Sequence, residues 1–103
     1  MNSIKKASAF TQWFTALKDI KAKVRILARI DQAEHGNFGD CKPVDNGLYE
    51  MRIHYGAGYR VYYTRQGEIV YILLLGGDKS TQQKDIEKAK RLLSAILEGE
   101  KYE

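Results

Sequence analysis

A set of side chains suited to phosphate chemistry lies between Glu50 and Lys79. From Leu48 to Tyr55 the residues alternate. Tyr49, Met51, Ile53 and Tyr55 fall on one side of an extended chain, and Glu50, Arg52 and His54 fall on the other. In the next run, Tyr59 to Thr64, either Tyr59, Val61 and Tyr63 or Arg60, Tyr62 and Thr64 can join the second set. The first triplet is the more apolar and is assigned to the core. Arg60, Tyr62 and Thr64 then share an open face with Glu50, Arg52 and His54, and Lys79 arrives from the loop after the following strand. Arginine presents a planar fork of donors that fits a phosphate or a pentacovalent phosphorane. Glu50 can take a proton from a ribose 2′-hydroxyl, His54 can give or take one near neutral pH, and an aromatic ring can stack on an unpaired base. The plainer alternative, ordinary surface charges two residues apart on a strand, stays open on spacing alone.

These residues need a sheet to carry them, and the chain supplies one. A short extended start near Ile4 precedes the helical spacing Phe10, Phe14, Leu17, with Trp13 alongside. Asp19 marks a break, after which Ile20, Val24, Leu27 and Ile30 begin a second apolar stripe, so two adjacent helices form a hairpin. Gly36, Asn37, Gly39, Pro43, Asp45, Asn46 and Gly47 signal a loop over roughly residues 35–47. Gly56-Ala57-Gly58 and Gln66-Gly67 are turns between strands, and Glu68 to Leu75 reads as a central strand ended by Gly76-Gly77-Asp78. Ser80 with Gln83 fits a capping box, and Ile86, Ala89, Leu93 and Ile96 stripe a last helix. The predicted order is β-α-α-β-β-β-α, with an antiparallel three-strand meander at its centre.

With 103 residues the chain makes a single domain, residues 1–103, and eleven aromatics supply a core. The longest apolar run, Ile69 to Leu75, is too short for a bilayer, so no membrane partner is expected. The Lys5-Lys6 start leads into an amphipathic pattern rather than a secretory signal. One cysteine, Cys41, excludes an internal disulfide, and Cys41 with His35 and His54 makes no convincing zinc site. A reduced cytoplasmic protein with no metal and no cofactor is expected. Residues 1–30 hold seven basic groups and one acidic, whereas residues 31–50 hold one basic and five acidic. Basic segments nominate nucleic acid as a partner, against the alternative of a solvated surface.

Weaker signals have bland explanations. Gly76-Gly77-Asp78-Lys79-Ser80 lacks the full spacing of a nucleotide-binding loop, although backbone N–H groups at the helix start can still meet a phosphate. Trp13 and Phe14 are assigned to the core or a partner, Cys41 to an incidental thiol, and His35 to a helix C-terminus.

The run Gly47-Leu48-Tyr49-Glu50-Met51-Arg52-Ile53, then Tyr55-Gly56-Ala57-Gly58-Tyr59-Arg60-Val61-Tyr62-Tyr63, resembles the RelE/ParE superfamily of toxins from type II toxin–antitoxin systems. Leu73-Leu74-Leu75-Gly76-Gly77-Asp78-Lys79-Ser80 with Gln82, Asp85 and Ile86 is similar to its HigB-like addiction module killer branch. The resemblance spans essentially the whole chain. It implies an α+β fold, an N-terminal helical hairpin packed on a twisted antiparallel β-sheet with a C-terminal helix. It also implies a ribosome-dependent endoribonuclease that cuts mRNA by attack of the 2′-hydroxyl on the adjacent phosphate, arresting translation.

Carried over by position, Arg60 would stabilise the transition-state phosphate. Arg52 would bind phosphate or polarise the attacking hydroxyl, and Lys79 would serve the leaving group or the phosphate. Two positions depart from the RelE pattern: Glu50 stands where a second basic residue lies, and no tyrosine occurs near Asp85. Tyr62 or His54 would have to compensate. These departures keep open a ParE-like DNA gyrase inhibitor without nuclease activity, and an inactive antitoxin-binding module. The implied partners are a cognate antitoxin of helix-turn-helix type, the ribosome and mRNA, with DNA met only through the antitoxin. On this reading Lys21, Lys23, Arg25 and Arg29 form an rRNA-docking surface.

Overall fold

A computed structural model describes residues 1–99. The order is β1 (Ser3–Lys6), α1 (Ser8–Ala16), α2 (Ile20–Glu34), β2 (Cys41–Asp45), β3 (Leu48–Ile53), β4 (Tyr59–Gln66), β5 (Val70–Asp78), a 3-10 turn (Lys79–Thr81) and α3 (Gln82–Leu97). The strands form one sheet in the order β1-β5-β4-β3-β2. The expected meander is its centre, β3-β4-β5, antiparallel throughout. The sheet is nevertheless mixed and wider than expected, because β1 pairs parallel with β5 and β2 pairs antiparallel with β3.

Strand β2 lies inside the stretch expected to be a loop. Pro43 and the nearby glycines signal a break, but β2 is an edge strand, where a proline costs no ladder bond on its free side. The register slips between Pro43 and Asp45, as an edge bulge allows.

The helices cover both faces. On one face α1 and α2 bury Phe10, Ile26, Ile30 and Ala33 against Met51, Ile53, Val61, Tyr63 and Leu73. The other face carries α3, whose Ala89 and Leu93 meet Leu48, Tyr62, Ile72, Leu74 and Leu75. Full burial of one such aliphatic side chain contributes about 2 kcal/mol. Helices α1 and α2 pack mainly on the sheet, α1 against β5 and α2 against β1 and β3, and less on each other than a hairpin implies.

The stripe expected for α2 is also displaced. Ala22, Ile26, Ile30 and Ala33 face the sheet, while Ile20, Val24 and Leu27 are 69%, 60% and 48% exposed. Of the four residues expected in the stripe, only Ile30 is buried. Two apolar stripes run along this helix, and the small alanines select the one that lets it sit close to the sheet. Asp19 caps the helix as the break suggested, its carboxylate accepting from the Ala22 N–H at 3.2 Å.

Gly76 and Gly77 lie within β5 and do not end it. A Cβ on Gly76 would run into the Trp13 ring, and one on Gly77 into the Asp85 carboxylate. The two glycines therefore let α1 and α3 close on the same strand from opposite faces.

Candidate functional site

Strand pairing sets the site. Arg52 lies opposite Arg60 and Glu50 opposite Tyr62, so the four share the α3 face, as expected from giving the more apolar triplet to the core. That face is not open along its length, however. Helix α3 covers one end of it, and Glu50, Tyr62 and Thr64 are buried there. Glu50 is held by Arg60 Nη1 at 3.1 Å and by Gln82 Nε2 at 2.8 Å. The Tyr62 hydroxyl has no hydrogen-bond partner among the described residues. Burial, and then the neighbouring Glu50 charge, raise its pKa well above the ordinary tyrosine value. Thr64 donates its hydroxyl to the Gly47 carbonyl at 2.6 Å. Of the expected site residues, Glu50 and Tyr62 are therefore walled off by α3 from any ligand on the open end.

At the other end Arg52, His54, Arg60 and Lys79 come together. With Tyr55 and the turn Gly56-Ala57-Gly58 they line an open hollow of about 590 Å³. The turn needs glycine at Gly58, where φ is +77°. Its Ala57 carbonyl accepts from the Lys79 N–H at 3.4 Å, which ties the start of the 3-10 turn to the hollow's rim. The Arg60 side chain is only 12% exposed and is anchored on Glu50 from below. Arg52 Nη2 donates to Asp40 Oδ1 at 2.7 Å. Each arginine thus spends part of its donor fork on a fixed carboxylate and keeps the rest. Lys79 is exposed and makes no ion pair among the described residues.

Asp40 is the residue that the sequence did not single out. It sits in the Gly36–Asp40 segment, where nothing in the spacing links it to a strand residue twelve or fourteen positions on. Its carboxylate reaches Arg52 through Oδ1 and His54 Nε2 through Oδ2. These hydrogen bonds, His54 first and Arg52 second, hold the carboxyl below its ordinary value. The backbone is fixed as well, since the Asp40 carbonyl accepts from the Arg52 N–H at 2.9 Å.

Of the four basic residues expected on α2, Arg29 is turned inward. Its guanidinium donates to the carbonyls of Arg52 at 2.5 Å, Phe38 at 2.9 Å and Asp40 at 3.4 Å. It holds the Asp40 segment in place. Lys23 donates to the Thr15 carbonyl at 3.3 Å and lies over the Phe14 ring. The Arg25 guanidinium lies 4.6 Å from the centre of the Tyr55 ring, which lines the hollow. Lys21 is exposed beside Ile20 and Val24.

The cap at the start of the last helix also differs from expectation. Asp78, not Ser80, caps the 3-10 turn, accepting from the Ser80 N–H at 2.8 Å and from its hydroxyl at 2.5 Å. The Ser80 N–H, one of the groups that could have met a phosphate, is already taken by a carboxylate.

The hollow can therefore do one kind of chemistry well. It offers two pre-oriented guanidinium groups and a free ammonium to an anion, with an imidazole at the edge.

None of the described helices is long and apolar enough to cross a membrane. Residues 12–94 match the family described as Phage derived protein Gp49-like (DUF891). The chain is 52% identical over 93 residues to an uncharacterized protein of Haemophilus influenzae, covering 90% of this chain and 94% of that one. No solved structure gives a significant match. The chain belongs to the phage-derived Gp49-like family, a toxin-like family of addiction modules, and that membership implies an antitoxin partner.

Proposed function

We propose that the protein is the toxin of a type II toxin–antitoxin module and acts in the cytoplasm as a ribosome-dependent mRNA endoribonuclease of RelE type. The observation that carries this reading is the convergence of Arg52, Arg60 and Lys79 on the end of the sheet that α3 leaves open. A phosphodiester seated there meets two arginines whose positions are set before it arrives, so little reorganisation is needed as charge builds on the phosphorane. Arg60, anchored on Glu50, is assigned to that charge, and Arg52 to orienting the phosphate. Lys79 is free to follow the leaving oxygen. Lys21, Lys23 and Arg25 remain the proposed rRNA contacts. Arg29 is assigned instead to supporting the Asp40 segment. The antitoxin is proposed to be of helix-turn-helix type and to carry the DNA contacts.

The test is brief induction of wild type, Arg60→Ala and Lys79→Ala in a bacterial host, with mRNA 5′ ends mapped genome-wide. Arg60 also neutralises the buried Glu50, so Lys79→Ala, an exposed change, separates chemistry from folding. New 5′ ends inside translated codons are expected for wild type and strongly reduced in both variants. Growth arrest without such cuts would overturn the nuclease and point to a ParE-like gyrase inhibitor, read by a supercoiling assay. Absence of arrest would point to an inactive antitoxin-binding module.

A further inference from the structure

Cutting RNA through its own 2′-hydroxyl requires a proton acceptor, and the fold removes two of the three candidates. Glu50 is fully buried with both carboxylate oxygens engaged, by Arg60 and by Gln82. The Tyr62 hydroxyl is buried beneath α3. His54 is different, since its side chain is 73% exposed at the hollow's edge. We infer that His54 accepts the 2′-hydroxyl proton through Nδ1, and that Asp40 is the positioning residue that turns this nitrogen to the substrate. The inference rests on the nuclease reading above.

The assignment of the nitrogen follows from the hydrogen bonds. Asp40 is held as a carboxylate by His54 and Arg52, so it can only accept. His54 Nε2 faces Asp40 Oδ2 and must therefore carry the proton, which leaves the lone pair on Nδ1. The charged and titratable groups around the imidazole are Asp40, Arg52, Tyr55, Arg60 and Lys79. Asp40 is itself fixed, because Arg29 and the Arg52 N–H both bind its carbonyl. A helix thus braces the carboxylate that aims the base.

The step balances with these groups. The 2′-hydroxyl proton passes to His54 Nδ1, and the 2′-oxygen forms a bond to the adjacent phosphorus. The P–O5′ bond breaks, and the departing 5′-oxygen takes a proton from Lys79 or water. The products are a 2′,3′-cyclic phosphate and a 5′-hydroxyl, with imidazolium and the Asp40 carboxylate left as an ion pair.

The test measures cleavage of a defined mRNA on programmed 70S ribosomes by wild type, His54→Ala, Asp40→Asn and the double variant. His54→Ala is expected to lower the rate constant by about 100-fold or more without weakening ribosome binding. Added imidazole should restore part of the lost rate in His54→Ala, a rescue that a merely structural role would not show. Asp40→Asn should cost about tenfold or more, because the amide no longer holds the imidazole in its working tautomer and orientation. It should cost clearly less in the His54→Ala background than in wild type, because the part that passes through His54 is already lost and only the loosening of Arg52 remains. His54→Ala cleaving within twofold of wild type would overturn the inference while leaving the nuclease reading intact. Additive losses would overturn the role given to Asp40. Wild type failing to cut at all would instead overturn the underlying reading.

Discussion

The two ends of the face beneath α3 hold similar residue types and use them in opposite ways. At the covered end a carboxylate, an arginine and a glutamine close on each other, with Glu50 fully buried between Arg60 and Gln82. At the open end another carboxylate, Asp40, holds an arginine and an imidazole, yet both stay in reach of solvent. The covered cluster fixes the sheet and helix against each other, and the open one keeps donors available to a ligand. Arg60 belongs to both, which makes the buried pair a foundation for the exposed one. Residue type therefore says less about role here than distance from the edge of one helix.

The sharpest way to break this contrast is Glu50→Ala, which strands Arg60 without its carboxylate in a site only 12% exposed. A loss of about 3–5 kcal/mol is expected in urea unfolding, as for other broken buried pairs. A loss below 1 kcal/mol would mean that the covered end behaves like a surface. Tyr62→Phe probes the same end more gently. Its hydroxyl is buried without a partner among the described residues, so removing it should leave stability within about 0.5 kcal/mol or raise it slightly.

At the open end the contrast is read through pH at Asp40. Its carboxyl sits below the ordinary 3.8 in the folded protein, so its bonds add stability above that pH. The contribution fades as pH falls through the lowered value. The urea midpoints of wild type and Asp40→Asn should differ most above pH 3.8 and converge in stronger acid. A gap that widens in acid would reverse the sign assigned to this pair.

Strand alternation, together with giving the more apolar triplet Tyr59, Val61 and Tyr63 to the core, placed Arg52, Arg60, Glu50 and Tyr62 on one face, because period two is local. It could not say where α3 would lie across that face, since packing of a distant helix is decided by Leu48, Ile72 and Leu74 as much as by α3 itself. Asp40 was invisible for the same reason. Its partners are set by how β2 and the Arg29 guanidinium fold the loop back, and no sequence period spans that distance. On α2 the larger aliphatic residues Ile20, Val24 and Leu27 carry the stronger helical period, yet Ala22 and Ala33 face the core. Local periods were legible; the burial of what they organise was not.

The parallel pairing of β1 with β5 bears on how the chain comes into being. Residues 3–6 leave the ribosome well before their partners, residues 70–73, which lie beyond two helices and three strands. Closing so long a loop is slow compared with forming a helix or a hairpin. During synthesis the first strand must therefore wait with its edge unpaired, and Lys79 follows only a few residues after its partners appear. The sheet and the cationic hollow are completed together, and neither exists until β5 and Lys79 have been made.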